Sequence, residues 1–157
     1  MSMIGYVLSN TLSDHGTVNR GVCKVDKNNF LIEVNERVKL ARKNGKVQYN
    51  IGSDEPIGEV AADSSVSMNY WGFHPSIFSY IEDGLHQFMR ENTTNPTAEY
   101  YIPEIVTDMI VSGEMNVEVI PTNDNWFGVT YKEDKAMAVE AINKHIENGI
   151  YPKKLWS

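Results

Sequence analysis

The sequence predicts an α/β fold, a mixed β-sheet with about three helices, and three observations carry that prediction. Apolar residues recur with a period near two through the first third of the chain and with a period near 3.6 after residue 75. From there on, helical stretches follow single strand-like runs. At 157 residues, with 41% hydrophobic and 22% charged composition, the chain suits one domain or a large part of one. A domain of that size buries roughly 70% of its unfolded surface.

The elements follow in order. Residues 3–8, 18–25, 30–38 and 46–51 alternate as strands, with turns at 26–29 and at Asn44-Gly45, a dipeptide suited to tight hairpins. Residues 51–65 hold Gly52, Pro56, Gly58 and small polar side chains and read as a long connection; residues 66–73 then read as a buried strand. Pro75 suits a first helical turn, and Ile77, Phe78, Ile81, Leu85, Phe88 and Met89 fall on one helical face up to about Asn92. A second helix is expected over 101–112, striped by Ile102, Ile105, Val106, Met109 and Ile110 and stopped by Gly113. Pro103 is tolerated there because it sits in the first turn. Residues 117–120 and 126–131 read as strands, and 132–148 as a last helix burying Ala136, Val139, Ile142 and Ile146. The tail through Tyr151 and Trp156 is expected to pack back. No internal repeat, low-complexity run or interior linker interrupts the pattern.

Charge and cysteine usage exclude several classes. The net charge is −7, yet residues 1–50 carry eight Lys or Arg against four Asp or Glu, and the remainder six against seventeen. Lys39, Arg42, Lys43 and Lys46 surround the Asn44-Gly45 turn and read as a solvated rim. Without a dense basic stripe interleaved with aromatics, nucleic acid is not an expected partner. Cys23 is the single cysteine, set between Val22 and Val25 as a packed thiol, so no intrachain disulfide or thiol pair exists. No stretch approaches the ~20 apolar residues of a membrane span, and residues 1–10 lack a signal-peptide pattern; a cytoplasmic location is expected.

Few residues can carry chemistry. Alternation places Phe30, Ile32, Val34 and Glu36 on one strand face, so Glu36 ends an otherwise apolar row as either a sheet-edge charge or a ligand contact. Arg37, on the other face, can fork onto a phosphate or pair with Glu33 or Asp63. Gly16 and Gly21 flank a strand start, as turn or bulge residues or as points where a ligand nears the backbone. Trp71 and Trp126 are core or sugar-stacking residues. The four histidines, His15, His74, His86 and His145, lack metal-ligand spacing, with His86 and His145 expected on helix surfaces. Asp54, Glu55, Glu59 and Asp63 read as a solvated acidic loop.

Four short motifs stand in a suggestive order: GTVNRGV at 16–22, EVNER at 33–37, SMNYWGF at 67–73 and NWFGVTY at 125–131. From about residue 3 to residue 156 the chain resembles the C-terminal half of the catalytic domain of the sugar-phosphate nucleotidyltransferases, the nucleotide-sugar pyrophosphorylases, whose fold is Rossmann-like. EVNER resembles that family's V-E-K-P segment, in which the glutamate binds sugar hydroxyls and the lysine the sugar phosphate; these roles fall on Glu36 and Arg37. Arg20-Gly21-Val22 resembles the Y-G-V step where backbone meets sugar, and residues 67–73 resemble the following strand, which gives Gly21, Ser67 and Trp71 as further substrate-binding residues. Residues 99–110 are similar to the E-x-Y-x-T-D segment that opens a helix, with Pro103 and Glu104 in place of Thr-Asp. Trp126 matches the tryptophan of W-x-D-x-G-T.

The departures matter as much. The aspartate of W-x-D-x-G-T, a magnesium ligand in the family, falls on Gly128, so that ligand is absent unless Asp134 stands in for it. The family's opening L-A-A-G-x-G-x-R loop, its later P-K and its first metal aspartate have no counterpart in these residues. The resemblance therefore implies a partial domain over 1–157 that binds a sugar 1-phosphate, needs a further half for the nucleotide and its magnesium, and turns over nothing alone. Exposed sheet edge and self-association are expected of such a half. The competing readings are a non-catalytic ligand-binding or regulatory module with the same half-fold, and a relative acting on a non-sugar phosphate such as phosphocholine.

Overall fold

The strand-then-helix change of period is realised as a seven-stranded sheet and three α-helices in a computed structural model that describes residues 1–13, 15–129, 132–154 and 156. The elements are β1 (Ser2–Val7), a 3-10 turn at Leu8–Thr11, β2 (Val18–Val25), β3 (Leu31–Lys43), β4 (Lys46–Tyr49), β5 (Gly58–Val60), β6 (Ser65–Gly72), α1 (Ile77–Glu91), α2 (Ile102–Val111), β7 (Glu118–Thr122) and α3 (Asp134–Glu147). The strand order is β5-β4-β3-β2-β6-β1-β7. β1 and β7 run parallel, with β7 reached from β6 through α1 and α2, and the other pairs are antiparallel. The sheet is therefore mixed. It also curls: the Leu31 amide donates to Val117 and the Val119 amide to Asn29, both at 2.8 Å, so the outer side of β7 is held by the start of β3.

Two apolar clusters lie on the two faces. One joins Met3, Cys23, Val117 and Val119 of the sheet side to Ile77 of α1 and Ile105, Val106 and Met109 of α2. The other gathers Leu8, Leu40, Val47 and Val66. α2 is held because its stripe is buried at Ile105, Val106 and Met109, and Pro103 sits in the first turn where no backbone donor is lost. α1 buries Ile77 and meets α2 near its other end through the Phe88 and Tyr100 rings, 5.2 Å apart. Phe78 and Met89, expected in its buried stripe, are 70% and 59% exposed, because α2 covers a narrower strip of α1 than the apolar pattern spans.

Other expectations are corrected by backbone irregularities. The β3 alternation breaks at Ile32: Lys24 pairs with Glu33 but Val25 with Leu31, leaving Ile32 as the extra residue of a bulge. Leu31 is consequently buried while Phe30 and Ile32 face outward, and Val34 packs against the core with Glu36, two residues on, exposed. β3 also extends to Lys43, where Asn44 (φ 52°) and Gly45 (φ 78°) make the tight turn into β4. The connection at 51–65 contains the short strand β5, paired to β4.

The chain divides into two compact units, Met1–Asp124 and Asn125–Ser157. In the second, residues 126–129 form no strand, and Thr130 and Tyr131 lie outside the described residues. α3 leaves Ala136, Val139 and Ile142 exposed and Ile146 half-buried. The buried residue of its first turn is Asp134. His145, rather than riding free on the surface, is half-buried between the rings of Phe127 at 6.3 Å and Tyr151 at 5.5 Å. Trp156 does not pack back and is 85% exposed. Among the described residues no helix is long and apolar enough to cross a membrane.

Candidate functional site

Sheet register assembles the site. Ser67 of β6 is paired on one side with Gly5 of β1 and on the other with Gly21 of β2, and Gly21 is in turn paired with Glu36 of β3. Directly opposed residues share a face, so four strands contribute one row, Gly5–Ser67–Gly21–Glu36. Two of its four members carry no side chain. A Cβ placed on Gly21 would lie 3.5 Å from Ser67 Cβ, 3.6 Å from Glu36 Oε2 and only 2.8 Å from Val34 Cγ1. Gly21 is buried, and its missing side chain gives room to Val34 between a hydroxyl and a carboxylate.

Electrostatics distinguish the two neighbours of Glu36. Partial desolvation raises the pKa of its carboxyl above the ordinary range, and the positive charge of Arg20, one residue before Gly21, pulls it back down. Arg20 shows the reciprocal pattern, lowered by burial and raised by Glu36. On the other side lies Tyr101, at the start of α2, whose phenol is raised by its hydrogen bond to Glu99, then by desolvation and by the charges of Glu99, Glu104 and Glu36. The Glu36 end of the row is therefore acidic, with an exposed phenol among the carboxylates. Ser67 is buried, and its Oγ accepts the Asn69 amide at 3.1 Å. On the same face, two residues further along β2, burial pushes the Cys23 thiol up to about 12, against a lowering by the Ser67 backbone. Cys23 is thus the packed, inert thiol that the sequence suggests.

Of the residues singled out in the sequence, Gly21, Glu36 and Ser67 come together. Trp71 lies further along the same strand, paired with Met3, beyond an irregularity in which Asn69 takes φ 58°. Its ring stacks on Phe73 at 5.6 Å and packs against the core, a structural use of the side chain. Arg37 does not join Glu36. Adjacent residues of a strand point to opposite faces, and the Arg37 guanidinium lies over the Tyr49 ring, 4.8 Å from its centre. Nor does Arg37 pair with Glu33, whose carboxylate is 3.4 Å from Lys24.

Trp126 and Gly128 belong to the second unit, where a Cβ on Gly128 would collide with the Trp126 indole. Gly128 offers no donor at the position of the family's magnesium ligand, and among the described residues no three His, Cys, Asp or Glu are grouped to hold a metal. Sequence reading missed Gly5 and Tyr101 as members of the site. Gly5 was signalled by nothing, since only the β1–β6 register brings it into the row.

No protein-family model matches this chain, and no curated protein matches it.

Proposed function

We propose that the Gly5–Ser67–Gly21–Glu36 row binds a sugar 1-phosphate, as the sugar-side half of a nucleotidyltransferase catalytic domain. The observation that supports the reading most is the register: Gly21, Glu36 and Ser67 are three separate motif residues of the resemblance, and they meet side by side on three strands. Glu36, the exposed member of the row, would accept hydroxyls of a pyranose ring, with the buried Gly21 and Ser67 bounding its approach to the sheet.

The acidic end sets the orientation. A phosphate dianion placed beside Glu36, Glu99 and Glu104 would be repelled, so the sugar hydroxyls face Glu36 and the phosphate points away from the start of α2. In the reaction of such enzymes a phosphate oxygen of the sugar 1-phosphate forms a bond to the α-phosphorus of a nucleoside triphosphate, and the bond to pyrophosphate breaks. The protein positions reactants and needs no nucleophile of its own. Residues outside this sequence would supply the nucleotide side. Magnesium does not fit the residue set here, since Gly128 has no side-chain carboxylate and no three His, Cys, Asp or Glu are grouped among the described residues.

Glucose 1-phosphate titrated into isotope-labelled protein tests the reading. Binding around millimolar is expected of a row that exposes Glu36 alone, with NMR shifts at Gly21, Ser67 and Glu36. Glu36→Ala should weaken it by about 1.5–3 kcal/mol, the range for hydrogen bonds to a charged group. If saturating ligand moves only the basic rim around Asn44, or nothing, the sugar assignment fails. The non-catalytic binding module would then be the better account.

A further inference from the structure

The backbone hydrogen bonds of β3 leave one stretch of the sheet without a partner. The Leu8 amide donates to Ser64, so alternation across β1 and β6 makes Tyr6 and Val66 a bonded pair and turns the Ser67 backbone toward Gly21. Gly21 then faces β6, while its neighbours Arg20 and Val22 bond to Arg37 and Asn35 of β3. The N–H and C=O of Val34 and Glu36 are left on the outer edge of β3, and among the described residues no backbone hydrogen bond reaches them. That edge is occupied on either side: the Leu31 amide donates to Val117, and the Val38 carbonyl accepts the Asn50 amide, both at 2.8 Å. Residues 32–37 thus form a gap roughly 20 Å long. We propose that this gap takes an extended cationic peptide as an added antiparallel strand, with lysine or arginine opposite Glu36 and an apolar residue opposite Val34.

Unpaired backbone at a strand edge is a template for another strand, and the side chains along it select which. Ile32 and Val38, at the two ends of the gap, are 40% and 39% exposed, large apolar groups that an added strand would cover. Of the charges on this stretch, Glu33 is held by Lys24 at 3.4 Å, and Arg37 lies over Tyr49 on the opposite face. Glu36 is exposed and shares its face with Val34. Glu99 and Glu104 add negative charge at the start of α2, where both act with Glu36 on the Tyr101 phenol. A cation is the complement of that corner. The direction follows from the two neighbours on this edge, since β4 and the Phe30–Glu118 bridge both run antiparallel to β3. A second copy of the chain fits less well, because the same gap in it is bounded by its own β4 and β7.

The inference does not rest on the sugar-phosphate reading, and its first measurement needs no ligand. In the free protein, amide exchange followed by NMR should be at least about tenfold faster at Val34 and Glu36 than at Asn35 and Arg37, which bond to β2. A capped peptide of threonine, lysine, threonine, valine and threonine, in that order, sets lysine opposite Glu36 and valine opposite Val34. At saturation it should slow the Val34 and Glu36 amides by at least about tenfold. Methylating the lysine and valine backbone nitrogens, which keeps the charge, should abolish binding, and glutamate in place of lysine should weaken it about tenfold. Slow Val34 and Glu36 amides in the free protein overturn the proposal. So does slow exchange that appears only at high protein concentration, since a second copy then fills the gap. Equal binding of the methylated peptide, or a lysine peptide that fails to bind or leaves both amides fast, overturns it as well. Failure of glucose 1-phosphate to bind changes none of these outcomes.

Discussion

Adding one methyl group at Gly21 is the sharpest probe of the row. In Gly21→Ala the new Cβ would sit 2.8 Å from Val34 Cγ1, closer than packed carbons approach, and 3.6 Å from Glu36 Oε2. Val34 is β-branched and stiff at χ1, so relief must come from a rotamer change or a small strand shift. Overpacking of this kind costs roughly 1–3 kcal/mol, while Gly→Ala in extended backbone returns roughly 0.5–1 kcal/mol of unfolded-state entropy. The net is a destabilisation of about 1 kcal/mol, a fall of about 3 °C in Tm for a chain of this length. Val34→Ala alone should cost about 1–2 kcal/mol as lost burial. In that background, however, Gly21→Ala should be neutral or stabilising, giving a coupling of about 1 kcal/mol by thermal and urea unfolding of the four proteins in the cycle. The same methyl lies between Ser67 and Glu36, so Gly21→Ala should abolish glucose 1-phosphate binding even where Val34→Ala has restored stability. Additive stabilities, or ligand binding that survives the methyl, would refute the register on which the site is built.

Three further outcomes follow from particular atoms. The Ser65 Oγ is buried with no hydrogen-bond partner among the described residues and lies where a Cβ on Gly5 would go. Ser65→Ala should therefore stabilise by up to about 1 kcal/mol in urea unfolding and should soften the larger cost of Gly5→Ala. Cys23 has a folded-state pKa raised from an ordinary value of 9.0 to about 12, so its contribution to stability is intact below pH 9 and is lost as the unfolded thiol ionises between 9 and 12. The unfolding free energy of wild type minus that of Cys23→Ala should fall across that window, by at most about 1.4 kcal/mol per pH unit, and the folded thiol should resist alkylation at pH 8. Arg37→Ala should cost about 0.5–1 kcal/mol of stability through loss of its contact with Tyr49, with glucose 1-phosphate affinity unchanged by NMR titration.

The regular elements were largely legible because their signals are local. The β2 limits are those the alternation predicts, and the three helices begin and end within two residues of the predicted ends. What could not be read was anything set by partners distant in sequence. The bulge at Ile32 inverts the inward phase of β3, and its only cause is how β3 lies against β2. The strand character of residues 58–60 depends on pairing with β4, which composition alone does not reveal in a run of Gly, Glu and Val next to prolines and glycines. The apolar stripe of α1 is wider than the surface available to cover it, a fact of packing rather than of period.

The site shows the same division more sharply. Choosing Gly21, Glu36 and Ser67 required only the order of three motifs, whereas their adjacency required two antiparallel registers, β2 on β3 and β2 on β6, to agree to the residue. A slip of one residue in either would have turned Glu36 or Ser67 to the opposite face. Arg37 illustrates the converse: it is next to Glu36 in sequence, and that adjacency guarantees it points away. Arg20, one residue before the glycine opposite Glu36, is paired with Arg37 and shares its face. In a sheet, residues that cooperate at one site are separated by two along a strand or lie on different strands, so consecutive charges such as Glu36 and Arg37 serve different faces.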